Sequence, residues 1–165
     1  MQDILEDIRE IKNMTLGKEL HRWIFRYDPS AMNIKVEVNK RPLDGNTYER
    51  KSIENTQVYC MSQSSMVANK IVALYERAYP RDLFDVYYFL AQDFPCDNAV
   101  IEIRSGKSLH ELIWELQEII PRYFLPNTVL TGLGELLTDT QKLWVKKHLV
   151  TETVALLDQY LQKNK

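Results

Sequence analysis

The chain has 165 residues, of which 45% are hydrophobic and 27% are charged, and its formal net charge at pH 7 is −2. These values fit one globular domain, or one domain with a helical extension, and the nearly balanced charge gives no global support for nucleic-acid binding. No apolar run approaches the roughly 20 residues of a membrane-spanning helix. The two cysteines, Cys60 and Cys96, favour a reduced, cytoplasmic protein over a disulfide scaffold.

The first third of the chain mixes one helical pattern with strand-like runs. Apolar residues at helical spacing predict a helix over residues 2–13. Residues 21–28 and 33–40 read as two strands of an antiparallel hairpin, and the second alternates strictly between apolar and polar positions. A polar stretch with turn signals follows, and residues 56–60 favour a third short strand.

Helical patterns begin at about residue 64. Ser64 or Ser65 is suited to cap a helix that runs to about Arg77. Pro80 is well placed in the first turn of the next helix, which we expect to reach about Gln92.

Three more helices are predicted after residue 96. Ser108 and Glu111 form a capping-box pattern at the start of one helix, and Pro121 is expected to end it. Residues 128–137 are a weaker helical segment, and residues 139–162 form a long amphipathic helix. The predicted fold is therefore α+β, with a small antiparallel or mixed β-sheet in residues 1–62 and a helical bundle in residues 63–165.

A dense group of charges marks the junction of the first two helices of the bundle, in the stretch "KIVALYERAYPRDLFDVYYFL". Lys70 and Arg77 share one face of the first helix. Arg81 and Asp85 are four residues apart and can pair, while Asp82 lies in the first turn, where the helix dipole favours a carboxylate. This pattern alone leaves two interpretations open: a surface ion-pair cluster beside a helix cap, or a functional site.

The same stretch, with Asn69 before it, resembles the signature of the AbiEii/AbiGii toxin family of the nucleotidyltransferase superfamily. That signature is a lysine in an "xK-h-x-A-L" helix, a following arginine, and then "RD-h-x-D-h-Y". The matching positions are Lys70, Ala73, Leu74, Arg77, Arg81, Asp82, Asp85 and Tyr87. Family members often carry glutamate where this chain has Asn69.

The resemblance implies a nucleotidyltransferase fold and metal-assisted nucleotidyl transfer, with NTP and Mg²⁺ as ligands of intact relatives. It implies that Lys70 contacts the triphosphate and that Arg77 binds the nucleotide. Asp82 would be the acidic residue of the last motif, with Arg81 and Asp85 supporting the site. Helix spacing places Lys70 and Asp82 roughly 12 Å apart along the axis, so we expect them to meet across a substrate.

A third acidic residue of the family lies on a strand in the pattern "h-[DE]-h". "KVEVN" offers Glu37 at that place, between Val36 and Val38. The resemblance thus implies that Glu37 is a catalytic residue and a metal ligand, in one pocket with Lys70 and Asp82. Alternation alone allows a second interpretation, in which Glu37 lies on the solvated side of a half-buried sheet.

One departure from the family pattern is large. The family's Gly-Ser motif, followed about ten residues later by Asp-x-Asp, does not occur in these 165 residues. Two of the three metal-binding carboxylates are therefore missing, which weakens the expectation of NTP and Mg²⁺ binding. We expect a protein that resembles the back two-thirds of its relatives and is weakly active or inactive alone. It is then a truncated product, a chain whose front part a separate polypeptide supplies, or a remnant with a binding role.

The resemblance also implies partners. Intact relatives act in toxin–antitoxin or phage-defence pairs, and some modify tRNA, so a cognate antitoxin is expected and an RNA acceptor is possible. A sheet without its front strands would expose an edge, through which a homodimer can form. The alternative is a non-catalytic interaction module that binds the antitoxin or itself.

Overall fold

The computed structural model of the protein describes residues 10–26, 28–40 and 44–163. The chain divides into two compact units, Met1–Leu43 and Asp44–Lys165. The fold class is α+β, as predicted, because antiparallel strands come first and helices follow. No helix of the described part is long and apolar enough to cross a membrane.

The first unit contains a three-stranded antiparallel sheet. Its strands are β1 (Glu10–Leu16), β2 (Leu20–Arg26) and β3 (Ile34–Asn39), in the spatial order β1-β2-β3. The predicted hairpin of the second and third strands is confirmed, with Trp23 paired to Val36.

The helix predicted over residues 2–13 is wrong from Glu10 onward, where the chain forms β1. Residues 2–9 of that prediction lie outside the described part. Pairing with β2 overrides the helical spacing, because Met14 and Leu16 take places in the ladder opposite Trp23 and His21. The ladder absorbs an irregularity between Ile11 and Asn13.

The second unit opens with a two-stranded hairpin of β4 (Tyr48–Ile53) and β5 (Thr56–Met61). The strand predicted at residues 56–60 is confirmed, whereas β4 was expected to be a polar turn region. Glu54 has φ 52° in the tight connection between the strands. The polar sequence of β4 does not predict a strand. The strand forms because β4 makes ladder hydrogen bonds with its partner β5.

Two helices follow the hairpin. Helix α1 is Gln63–Arg77, and its cap is Ser62, whose side chain accepts a hydrogen bond from the Ser65 amide, so the predicted cap at Ser64 or Ser65 is wrong by two or three residues. Helix α2 is Pro80–Ala91, and its predicted start at Pro80 is confirmed.

Helix α3 (Asn98–Ser105) was not predicted, and α4 is Leu109–Tyr123. The capping box of Ser108 is confirmed, but Pro121 lies within the last turn and does not end the helix there. Pro121 lacks only its own amide hydrogen bond to the carbonyl four residues earlier, and the helix continues for two more residues.

The segment 128–137 is a series of turns, and the prediction of a weak helix there is wrong. Most of its hydrogen bonds join residues three apart, such as the Leu133 amide to the Leu130 carbonyl at 3.0 Å. Gly132 has φ 73°, a left-handed conformation that interrupts a right-handed helix.

The long final helix is confirmed, with one irregularity. It consists of α5 (Asp139–Trp144), a π-helical turn (Val145–Leu149) and α6 (Val150–Lys163). Its buried positions Val145, Leu149, Thr153 and Leu157 recur every four residues. In a regular α-helix each such step overshoots a full turn by about 40°. The wider π turn reduces this drift, so Val145 and Leu149 both remain in the core.

The helices pack around one hydrophobic core in the second unit. Every one of its helices except α5 contributes buried side chains, and the final helix contributes through its π turn as well. The largest fully buried side chains are Ile71, Leu74, Leu83, Ile101, Leu112, Ile113, Leu116, Ile120, Leu149 and Leu157. This core fixes α1 and α2 against the other helices, and with them the charged junction described next.

Candidate functional site

The connection between α1 and α2 is only two residues long. Ala78 takes the left-handed conformation at φ 47° and ψ 49°, and Tyr79 is extended. A non-glycine residue rarely adopts that conformation, so the junction is held in place by its surroundings. The tight turn brings the charged residues at the end of α1 onto those at the start of α2.

Asp82 is the centre of this charge cluster. Its side chain is only 1% exposed, and it accepts hydrogen bonds from Arg77 Nε at 2.7 Å and Arg77 Nη2 at 2.8 Å. This two-pronged pair is the geometry in which guanidinium and carboxylate groups bind best. The hydrogen bond to Asp82 raises the pKa of Arg77. Asp82 therefore positions Arg77, whose own side chain is half exposed.

Lys70 joins the same cluster directly. Its Nζ lies 3.4 Å from Asp82 Oδ1 and 2.5 Å from Asp85 Oδ2. The expectation that Lys70 and Asp82 meet only across a substrate is therefore wrong. Because α2 folds back along α1 and the lysine side chain is long, the distance along the helix axis does not separate the charged groups.

Arg81 does not complete the predicted pair with Asp85. Within the described residues Asp85 is paired with Lys70, and Arg81 has an exposed side chain. The four-residue spacing allowed the pair, but an ammonium group from the neighbouring helix takes the carboxylate instead. The structure thus brings Lys70, Arg77, Asp82 and Asp85 together, with Arg81 at the margin.

A second polar network on α1 was missed by the sequence analysis. Asn69 Oδ1 accepts a hydrogen bond from Arg104 Nη1 at 2.6 Å, and Arg104 Nη2 lies 3.3 Å from Glu76. Asn69 Nδ2 in turn donates to the Ser65 carbonyl at 2.7 Å. No motif pointed to Arg104, because α3 itself was not predicted. This network anchors the helix position next to Lys70.

Glu37 lies in the first unit, on β3 opposite Arg22. Its carboxylate contacts Arg22 Nε at 2.6 Å and Lys35 Nζ at 3.2 Å. The hydrogen bonds from Arg22 and then Lys35 lower the pKa of Glu37. The carboxylate is thus ionised and already neutralised by two cations. The shared pocket of Glu37 with Lys70 and Asp82 stays a prediction.

The acidic residues of the cluster do not fit a resident divalent metal ion. Asp82 and Asp85 face Lys70 and Arg77, so cationic groups occupy the positions that a metal would take. In the part of the chain that the structure describes, no group of three or more His, Cys, Asp or Glu residues is arranged to hold one.

What the cluster offers is cationic groups in fixed positions. Lys70 and Arg77 are partly exposed, and both are oriented by a buried carboxylate. Such groups can contact phosphate oxygens, Arg77 through two parallel hydrogen bonds and Lys70 as a point charge. Asp85 limits this capacity, since it neutralises Lys70.

Of three comparisons with known proteins, one gave a match. A family model described as nucleotidyl transferase AbiEii toxin, of a type IV toxin–antitoxin system, matches residues 6–138. The comparison with curated proteins and the comparison with solved structures each gave no match. The matched range includes Glu37 and the whole charge cluster at the α1–α2 junction.

Proposed function

The chain belongs to the AbiEii family of nucleotidyl transferase toxins, and on this basis we propose that it is a nucleotidyltransferase-like toxin that binds the triphosphate of an NTP through Lys70 and Arg77. Membership of a type IV toxin–antitoxin family implies an antitoxin partner. The proposal extends to a role in phage defence and to action in the cytoplasm, in line with the two free cysteines Cys60 and Cys96.

One observation carries the proposal: Lys70 and Arg77 share the buried carboxylate of Asp82. An ammonium and a guanidinium group held side by side lose little conformational freedom when an anion binds. Asp85 balances the charge of Lys70, so an incoming phosphate would replace Asp85 as the partner of the ammonium group. Here the carboxylate orients two cations that remain partly open to solvent, which supports a role in binding phosphate.

Nucleotidyl transfer by these residues alone should be weak or absent. The Gly-Ser and Asp-x-Asp motifs do not occur in the sequence, and Glu37 is ion-paired with Arg22 and Lys35. We infer that the 165 residues provide the back part of the site, as in a truncated member of the family. The proposal includes RNA as the acceptor of the nucleotide. Incorporation of radiolabelled nucleotide into RNA measures this transfer.

Binding is tested by calorimetric titration of the full chain with each NTP in the presence of Mg²⁺. We expect weak binding by the natural protein and none by Lys70→Ala. Lys107→Ala is the matched control, because Lys107 is also about one-third exposed and pairs with Glu115 at 2.7 Å. Absence of binding at millimolar NTP, or equal binding by Lys70→Ala, would reject the proposed site.

A second candidate function is a non-catalytic interaction module, which a feature of the sheet favours. Among the described strands β3 lies at an edge of its sheet, and its apolar residues Ile34, Val36 and Val38 are each more than 40% exposed. Edge strands with apolar faces readily pair with another chain. The module would bind the antitoxin or a second copy through this edge. Sedimentation equilibrium should then give a dimer that Val36→Lys dissociates; a monomer at high concentration would exclude self-association.

A further inference from the structure

Two open grooves flank the π turn of the final helix. The first, of about 210 Å³, lies between the end of α4 with its following turn and the start of α6, and it includes Pro121, Leu125, Lys146 and Val150. The second, of about 230 Å³, includes Leu143, Trp144 and His148. Lys147 lines both grooves. We name the two grooves together the Lys147 surface.

The Lys147 surface is apolar with a positive centre. Leu125 and Leu143 are about half exposed on its two sides, while Phe124 and Val129 form a buried floor under the first groove. No carboxylate of the described residues lines either groove. Apolar side chains left open within a polar rim are typical of a surface that a partner covers.

Three carboxylates on the flanking helices have partners within the chain. Glu118 pairs with Arg122 and Asp139 pairs with Lys142, whereas Glu152 accepts a hydrogen bond from the uncharged Tyr87 hydroxyl. Lys146 and Lys147, in contrast, form no ion pair with any described residue. The lining of the two grooves therefore carries two unpaired positive charges, although the whole chain has a net charge of −2. An acidic partner would pair with them.

The backbone of this segment is itself unusual. π turns inside α-helices are infrequent and are often found at functional sites. This one spans Val145–Leu149, so it carries Lys146, Lys147 and His148 on its outward side while Val145 and Leu149 stay buried. The same π turn therefore keeps Val145 and Leu149 in the core and places Lys146 and Lys147 on the surface.

From these observations we propose that the Lys147 surface binds an acidic peptide segment of a partner protein, with a carboxylate residue flanked by apolar residues on both sides. The carboxylate would pair with Lys147, and the apolar side chains would enter the two grooves. The first groove fits a peptide better than a nucleic acid, because five of its nine lining residues are aliphatic or proline and its one aromatic residue, Phe124, is buried and offers no face on which a base can stack.

The test uses the full chain and a phage-displayed library of random twelve-residue peptides. We expect the selected peptides to be enriched in an aspartate or glutamate with apolar neighbours on each side. Synthetic copies should bind the natural protein at least about tenfold more tightly than Lys147→Glu, since charge reversal replaces an attraction by a repulsion. Leu125→Ser, in one groove, should weaken binding about threefold or more.

Lys163→Glu is the matched control. It makes the same charge change near the other end of α6, and we expect it to alter binding less than twofold. Circular dichroism checks that each variant is folded, and a uridine oligonucleotide serves as the nucleic-acid arm. No enrichment, enrichment of neutral or basic peptides, or binding that Lys147→Glu leaves unchanged would each overturn the proposal. Tighter binding of the oligonucleotide, lost in Lys147→Glu, would overturn it in favour of RNA.

Discussion

Replacing Asp82 by asparagine removes the centre of the charge cluster with almost no change in shape. Asp82 accepts two short hydrogen bonds from Arg77 and a longer one from Lys70. An asparagine keeps one acceptor oxygen and turns its amide group, a donor, toward the donors of Arg77 or Lys70. At least one charge-assisted hydrogen bond is therefore lost, and a buried amide is left facing donors.

The size of the effect follows from burial. A hydrogen bond to a charged group contributes about 1.5–3 kcal/mol, and breaking a buried ion pair costs roughly 3–5 kcal/mol. Asp82 is almost fully buried, but Arg77 is half exposed and recovers part of its hydration. We therefore expect Asp82→Asn to lower the free energy of unfolding by about 2–3 kcal/mol, which corresponds to roughly 4–12 °C in Tm.

Urea unfolding followed by circular dichroism at the helix band measures this loss. Asp85→Asn is the control, since Asp85 makes one ion pair and is about one-third exposed. Its loss should stay below about 1 kcal/mol. If Asp82→Asn were as stable as the natural protein, the carboxylate would not hold α1 and α2 together, and the reasoning about the junction would fail.

Three further predictions concern the second unit. Burial raises the pKa of the Cys96 thiol from 9.0 to about 12. Above pH 9 this thiol therefore loses its proton only in the unfolded chain, and the free energy of unfolding falls as the pH rises. The stability difference between the natural protein and Cys96→Ala should shrink between pH 8 and pH 10.5 in urea titrations. Gly45→Ala and Gly106→Ala should lower Tm by similar amounts, because both glycines have positive φ and the 2.7 Å contact of a Cβ at Gly45 is with Ile103 Cδ1, the end of an exposed side chain that can rotate away. Ser108→Ala should lower the free energy of unfolding by about 1 kcal/mol because the N-terminal cap of α4 is lost. Urea titration of the variant and the natural protein measures this difference.

Elements with strong local signals could be predicted from the sequence. Pro80 and Ser108 begin helices as expected, because a proline at the first turn and a capping box act within a few residues. The alternation in β3 also gave its hairpin with β2. Two of the misses are strands whose structure depends on partners: β1 takes its form from the ladder with β2, and β4 from its pairing with β5.

The charge cluster at the α1–α2 junction could be predicted in its members but not in its pairing, and the place of Glu37 in a shared site stays a prediction. The motif named Lys70, Arg77, Asp82 and Asp85, and the structure brings these four together. Spacing along one helix suggested that Arg81 pairs with Asp85, yet the ion pairs run between the two helices. The ion-pair partners depend on the two-residue turn between the helices and on the reach of two long cationic side chains. Residue spacing along the sequence gives neither of these.

The affinity of the Asp85→Asn variant for NTP tests the central claim most directly. If Lys70 exchanges the carboxylate of Asp85 for phosphate, removing that charge should strengthen binding by roughly threefold to tenfold over the natural protein, while Lys70→Ala abolishes it. Calorimetry on the three proteins in the same buffer gives this order. Equal or weaker binding by Asp85→Asn would contradict the account, because Lys70 would then not be the group that receives the phosphate.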